Sequence, residues 1–295
     1  MNKIQEITLK NLAKGSSLVL SELNTDYILE SVDWGSVEAS HSMFPYPDQI
    51  GSDITNTALL SRDIAIVGWA TAKTEVELDE LKAELNKFIN PFQTMEVIYT
   101  DYKLTMRPSS SIKYSATFKE NNEVMCRFLV SGNCYQPLFM LAVPDVVAKS
   151  VAQPVPLFPM SIPIDVGIVF GYIPAIDLEN LVNYGDVSAG FLVTITVMAG
   201  GSTKPRVTNS TTGKFIELDA TFLEDDIIKV STVAGNKYLS LTRAGVTTNI
   251  FNLLTRASNL FELVSGLNAL TVTAELGSSN LGIEVTYSPR FLEVQ

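Results

Sequence analysis

From residue 164 onward the sequence is a succession of nine short strand-like runs: 164–170, 191–198, 206–209, 214–218, 227–232, 238–242, 260–264, 269–274 and 282–287. Turn signals fall between them: Gly200 and Gly201, Thr212 and Gly213, Glu224 to Asp226, Gly235 and Asn236, Ala244 and Gly245, Ser265 and Gly266. Apart from a single helical turn around 249–254, no helical period competes. Strands this short, joined by turns this tight, admit a β-sandwich or barrel with mostly antiparallel pairing.

The first half uses the same grammar with one interruption. Strand-like runs occur at 4–9, 17–20, 27–32 and 61–70, the last reading SRDIAIVGWA and expected to be buried on both faces. Residues 43–51, where Pro45 and Pro47 flank Tyr46, read as a loop. A helix then starts at Thr74, an N-cap residue with Glu77 in the capping-box position. Leu78, Leu81, Leu85 and Phe88 share one face, and Asn90-Pro91 stops it. Strands resume at 95–100, 104–107, 112–118 and 124–131.

At 295 residues the chain exceeds one domain of about 150. The segment 145–163 is rich in proline and has no period, which suits a connector. This divides the chain into domains at 1–144 and 164–295. The expected class is mainly β with one amphipathic helix.

Charge narrows the function. Charged residues make up 18%, below the roughly 25% of ordinary soluble domains, which favours a surface partly covered by partners. The net charge is −11 and there is no basic run, so sequence-specific nucleic-acid binding is not expected. An acidic surface would instead repel DNA passing along it. The start MNKIQEITLKNLAKG has no signal-peptide pattern, and the longest uncharged apolar stretch is broken by Pro154, Pro156, Pro159 and Pro163. Membrane insertion is therefore not expected, and synthesis and folding are expected in a reducing cytoplasm.

Catalytic chemistry is scarce. His41 is the only histidine, in a polar stretch, and no nucleophile motif accompanies it. Cys126 and Cys134, eight apart, fit no metal or redox spacing and read as buried thiols on a strand pair. The run Glu224-Asp225-Asp226 reads as a turn, without the ladder of a calcium loop or the separation of a glycosidase pair. No catalytic, metal or cofactor site is assigned, and no cofactor is expected. Strand aromatics such as Phe191, Phe222, Phe261 and Tyr287 read as core or interface material rather than sugar platforms.

Several phrases stand out together. In the first half these are RDIAIVG at 62–68, the helix ending LNKFINP at 85–91, the hairpin-like region 97–118, and QPLF at 136–139. In the second half they are PRVTNSTTGKFI at 205–216, EDDIIKV at 224–230, FELVSGLNAL at 261–270, and YSPRFL at 287–292. Together these resemble the distal tail protein family of long-tailed bacteriophages, with Gln136 in place of that family's usual acidic residue and its usual glycine absent from 224–230. The resemblance implies a six-membered ring. The first domain would be a β-sandwich with a helix and an extended hairpin reaching the next subunit, and the second a galectin-like β-sandwich. It also implies contacts with the tail-tube protein, a tail-associated tip protein, and receptor-binding or baseplate proteins, within the tail tip of a virion. Tyr99, Tyr102, Arg107 and Tyr114, in the hairpin region, are the candidate subunit-interface residues.

A carbohydrate-binding adhesion module is the competing reading, and a tail-associated cell-wall hydrolase ranks below it. A lectin-like fold does not bring a sugar site with it.

Overall fold

The computed structural model describes residues 6–46, 50–143, 145–151 and 176–294. It divides into two compact units, Met1–Ala142 with Phe291–Gln295, and Val143–Arg290. The class is mainly β with one α-helix, as the alternating runs require.

The first unit contains β1 (Glu6–Asn11), β2 (Ser17–Ser21), β3 (Tyr27–Asp33), β4 (Ala39–Pro45), β5 (Ser52–Leu59), β6 (Arg62–Thr71), α1 (Glu75–Phe88), β7 (Met95–Tyr99), β8 (Tyr102–Pro108), β9 (Lys113–Tyr114), β10 (Met125–Cys134) and β11 (Phe139–Leu141). A last two-residue strand, Arg290–Phe291, joins the same sheet beside β11, and the order runs on through β8, β7, β1, β2, β3, β6, β10 and β9. Strand β10 also pairs with β8, Gly132 opposite Pro108 and Asn133 opposite Arg107, so the sheet closes on itself. The two layers expected of a sandwich, Arg290–Phe291 with β11-β8-β7-β1-β2 and, facing it, β3-β6-β10-β9, are joined by the single β2–β3 pair Ser21–Ile28 and by the β8–β10 pairing. Inside lie Ile7, Leu9, Leu20, Ile64, Ile66, Val97, Leu104, Met106 and Phe128, each at most 2% exposed.

Helix α1 covers this core with Leu78, Leu85 and Phe88. Thr74 Oγ1 accepts from the Glu77 N–H at 3.3 Å, and Glu77 Oε2 reaches back to the Lys73 N–H at 3.0 Å. At the other end buried Asn11 donates to the carbonyl of Phe88 at 3.1 Å, supplying a partner to a helix-terminal group that the helix cannot satisfy itself. Tyr27 and Tyr114 bring hydroxyls to the helix carbonyls of Leu81 (3.1 Å) and Lys82 (3.2 Å).

Several local expectations are corrected. Residues 43–51 are not simply a loop, because β4 and β5 pair into a hairpin from Ala39 to Leu59. Strand β6 is buried on one face only; Ala65, Val67 and Trp69 on the other are half-exposed. Of 112–118 only Lys113–Tyr114 is strand. Both cysteines sit on one strand, β10, free and buried, and burial pushes the Cys134 thiol up to about 12.

The second unit contains β12 (Asp145–Val151), β13 (Ile176–Asn183), β14 (Phe191–Val197), β15 (Ser202–Thr203), β16 (Arg206–Asn209), β17 (Lys214–Glu217), β18 (Thr221–Phe222), β19 (Ile227–Ser231), β20 (Tyr238–Arg243), β21 (Val246–Asn249), β22 (Gly266–Thr273) and β23 (Leu281–Tyr287), leaving Arg290–Phe291 as β24. One sheet has the order β12-β23-β14-β19-β20-β21, a second has β13-β22-β16-β17, and β15 pairs with β18 apart from both. Both feed one core, with Val193, Ile195, Ile228 and Val285 from the first sheet and Val207, Ile216, Leu270 and Val272 from the second.

Residues 145–151, expected in the connector, form a strand antiparallel to β23. The segment 260–264 contributes only an isolated bridge between Leu263 and Ala189. Residues 291–294, expected in the second domain, belong to the first unit. The expected strand at 164–170, the remaining connector 152–163, Pro47 and the start of the run at 4–9 lie outside the described residues.

A buried asparagine pair explains two of the phrases picked out in the sequence. Asn209 and Asn268 are both fully buried, and Asn209 Nδ2 donates to Asn268 Oδ1 at 3.0 Å. Asn268 also donates to the carbonyls of Val264 (2.8 Å) and Gly266 (3.0 Å) and accepts from the Val264 N–H (3.0 Å). Its amide replaces a turn's missing backbone partners. Asn268→Ala is expected to cost about 2–4 kcal/mol by leaving several of these groups unsatisfied, read as a lower urea midpoint in far-UV circular dichroism.

Closure of the first unit needs Gly132, where a Cβ would lie 2.7 Å from Met106 Sδ and 3.3 Å from the Arg107 carbonyl. Gly132→Val is expected to cost about 1–3 kcal/mol, measured by urea unfolding of the tryptophan signal. Both tryptophans, Trp34 and Trp69, lie in this unit.

Candidate functional site: an exposed hairpin arm

Hairpin β4–β5 pairs with no strand of the closed sheet. Every residue of both strands is exposed. Its shaft is polar, with His41 Nδ1 and Thr57 Oγ1 3.0 Å apart and Thr55 Oγ1 donating to the Ser42 carbonyl at 3.0 Å. Its outer part is apolar: Met43, Phe44, Tyr46, Ile50 and Ile54 are between 43% and 109% exposed. The rings of Phe44 and Tyr46 meet edge to face at 5.3 Å. A two-stranded hairpin is marginal alone in water, and a cluster of large exposed apolar side chains marks an interaction surface. The arm also has two strand edges able to take a further strand.

The sequence placed the extended hairpin at 97–118 instead. Strands β7 and β8 do form a hairpin, but Met95, Val97, Leu104 and Met106 are at most 1% exposed inside the core. The signal for the arm was a seven-residue and an eight-residue run, 39–45 and 52–59, on either side of Pro47 and Gly51, with no apolar period on either.

The four candidate interface residues fall near that core. Tyr99 packs on it, 5.9 Å ring to ring from Trp34, and Tyr102 stands edge-on to Phe291 at 5.4 Å. Tyr114 is half-buried under α1, and desolvation pushes its hydroxyl up to about 12. Arg107 is exposed, its Nε donating to the Pro91 carbonyl (3.0 Å) and Nη2 to that of Phe92 (3.3 Å), beside the exposed Phe92 ring. The structure brings Tyr99 and Tyr102 to one end of a hairpin and leaves Arg107 and Tyr114 elsewhere.

Among the described residues, no group of three or more His, Cys, Asp or Glu side chains is placed to hold a metal ion. No described helix is long and apolar enough to cross a membrane. The run 224–226 is a turn with Asp225 at φ +65°. Asp226 is buried and takes two hydrogen bonds from Arg243, Nε to Oδ1 at 2.8 Å and Nη2 to Oδ2 at 2.5 Å, with a third from the Leu223 N–H at 2.8 Å. A cleft lined by Gly200, Gly201, Thr203, Leu223 and Leu276 lies nearby, but its one aromatic, Phe222, is buried and offers no face for a sugar.

The Arg243 bonds, helped by the Leu223 N–H and opposed by burial, hold the Asp226 carboxyl below its usual range. The folded state therefore binds that proton less tightly than the unfolded chain. The stabilisation is fully present above the unfolded value of about 3.9 and is lost as pH falls through the lower folded value. Protection factors of the amides along β19 and β20, taken against intrinsic exchange at each pH, are expected to fall below about pH 4, and Asp226→Asn is expected to flatten this dependence while weakening protection at neutral pH.

Comparison with known proteins gives a consistent answer. Residues 184–291 match the family model described as the siphovirus-type tail component, C-terminal domain. The fold is similar to the SPP1 Dit protein, described as a paradigm of the hub adsorption apparatus in phages infecting Gram-positive bacteria. The identity is 13%, with 97% of this chain and 99% of that chain covered and a TM-score of 0.66. Chains of the phage P2 baseplate in its activated conformation are also similar, with calcium (10% identity, 97% of each chain, TM-score 0.51) and with strontium (10% identity, 96% and 97%, TM-score 0.51). A search of curated protein sequences finds no match. Residues 184–291 thus match the model of the siphovirus-type tail component, C-terminal domain, and over nearly its whole length the chain has a fold similar to that of SPP1 Dit.

Proposed function

We propose that this chain is a structural hub of a siphovirus-type tail, acting as a six-membered ring between the tail tube and the tip or baseplate apparatus. The exposed arm is the observation that carries the reading. A projecting hairpin with an apolar tip and open edges is suited to a neighbouring copy, because main-chain pairing and apolar burial need no special residue chemistry. A head-to-tail contact of this kind closes into a ring when its rotation does. The family match of the second unit and the likeness to a hub protein support the same role.

In this reading the arm, rather than the hairpin at 97–118, makes the bridge, and Arg107 beside exposed Phe92 is a further contact. The tail-tube protein and a tail-associated tip protein are the axial partners, with receptor-binding or baseplate proteins docking around the ring. The protein is made in the host cytoplasm and ends in the virion.

Multi-angle light scattering and negative-stain microscopy test this, alone and with the tail-tube protein. Native protein is expected to give six-fold rings. The triple variant Met43→Ser, Phe44→Ser, Ile54→Thr is expected to lose them while its unfolding free energy changes by less than about 0.5 kcal/mol, since all three side chains are more than half exposed. Rings that form equally well without the apolar tip would sink the arm as the bridging element; a chain monomeric under both conditions would sink the hub.

A further inference from the structure

The chain passes through the whole second unit and then returns to finish the first. Phe291 and Val294 pack on the first core, Phe291 standing edge-on to Tyr102 at 5.4 Å, and β24 extends the first sheet beside β11. Under this returning segment lies Arg62, whose side chain is fully buried. Its guanidinium sits 4.9 Å from the Phe139 ring centre, donates through Nη2 to the Leu292 carbonyl, and reaches Glu293 Oε1 at 3.3 Å. Nε and Nη1 have no hydrogen-bond partner. Every side-chain hydrogen bond of this buried cation among the described residues therefore comes from residues 292 and 293.

A charge taken out of water without partners is strongly unfavourable, whereas the same site filled by an apolar side chain is not. Before residues 291–294 arrive, Arg62 has two options. It stays hydrated, holding that end of the first sheet open, or it is buried without an acceptor. We infer that residues 291–294 are a completion strap: the first unit closes around Arg62 only when the chain has been made through the second unit, so an interrupted chain cannot offer a finished first unit for assembly. The inference concerns a single chain and does not need the hub reading.

A double-mutant cycle tests it. Urea unfolding is followed by tryptophan fluorescence, which reports the first unit alone, with Trp34 5.4 Å from Phe139 beside the site. Deleting residues 291–295 is expected to lower the midpoint by about 1–2 M urea in the native background. In an Arg62→Met background the same deletion is expected to cost less than half as much, because no buried charge is stranded. Equal losses in the two backgrounds overturn the proposal, as does no loss in either. Should the shortened native chain fail to fold, Phe291→Ala in the full chain replaces the deletion. A larger loss with Arg62 than with methionine there supports the strap, and equal losses overturn it.

Discussion

A β-strand is complete only when its backbone donors and acceptors have partners on both sides, and this requirement organises the protein. In the first unit it is met by closure. Strand β10 turns back to pair with β8 at Gly132 and Asn133. The strands at the ends of the order, β9 and β24, are two residues each, and β2 meets β3 through the single pair Ser21–Ile28, so the rest of those two facing edges has no partner strand among the described residues. In the second unit two sheets share one core, and the loop at 255–259 satisfies the outer side of β17 through the Asn259 N–H to Phe215 and the Thr255 N–H to Glu217. Against this background β4–β5 stands out, because it is long, exposed on all sides and unpaired beyond itself.

The requirement also separates what could be read in the sequence from what could not. Elements that bury a stripe of their own side chains were legible. Thr74 and Glu77 marked the start of α1, and the alternation of Ile64 and Ile66 marked β6. The arm was not, since a hairpin with both faces exposed has no hydrophobic period, and Pro45 with Gly51 then reads as loop. Strand β12 was masked by its proline-rich neighbours. The candidate residues Tyr99 and Tyr102 were drawn from a hairpin that is real but internal. The return of residues 291–294 was beyond any local pattern, because Arg62 and Leu292 are 230 positions apart. A buried arginine in an apolar strand was nevertheless a hint, since such a charge needs a distant acceptor.

The family phrases carry a related lesson. Asn209 and Asn268 sit in two separate phrases of the second half, and neither has catalytic meaning. They meet in the core, one amide bonded to the other, with Asn268 gripping the turn at 264–266. A fully satisfied buried amide pair fixes which turn meets which hairpin, and an apolar substitute could not supply those donors and acceptors. The fold is shared at 10–13% identity; hydrophobic positions tolerate exchange, whereas this amide pair has no apolar substitute.

The arm divides its labour along its length. The shaft carries Ser40, His41, Ser42, Asn56 and Thr57, which are at ease in water and leave the strand edges hydrated. Five large apolar side chains crowd the tip. An association driven only by the edges would exchange water bonds for protein bonds at small net gain. Burial of the tip adds about 1.5–3 kcal/mol for each large side chain fully removed from water. In the proposed assembly the edges would set direction and register and the tip would supply the driving force. Both would act only on contact with another molecule, so the order of the arm would be coupled by mass action to the concentration of that partner.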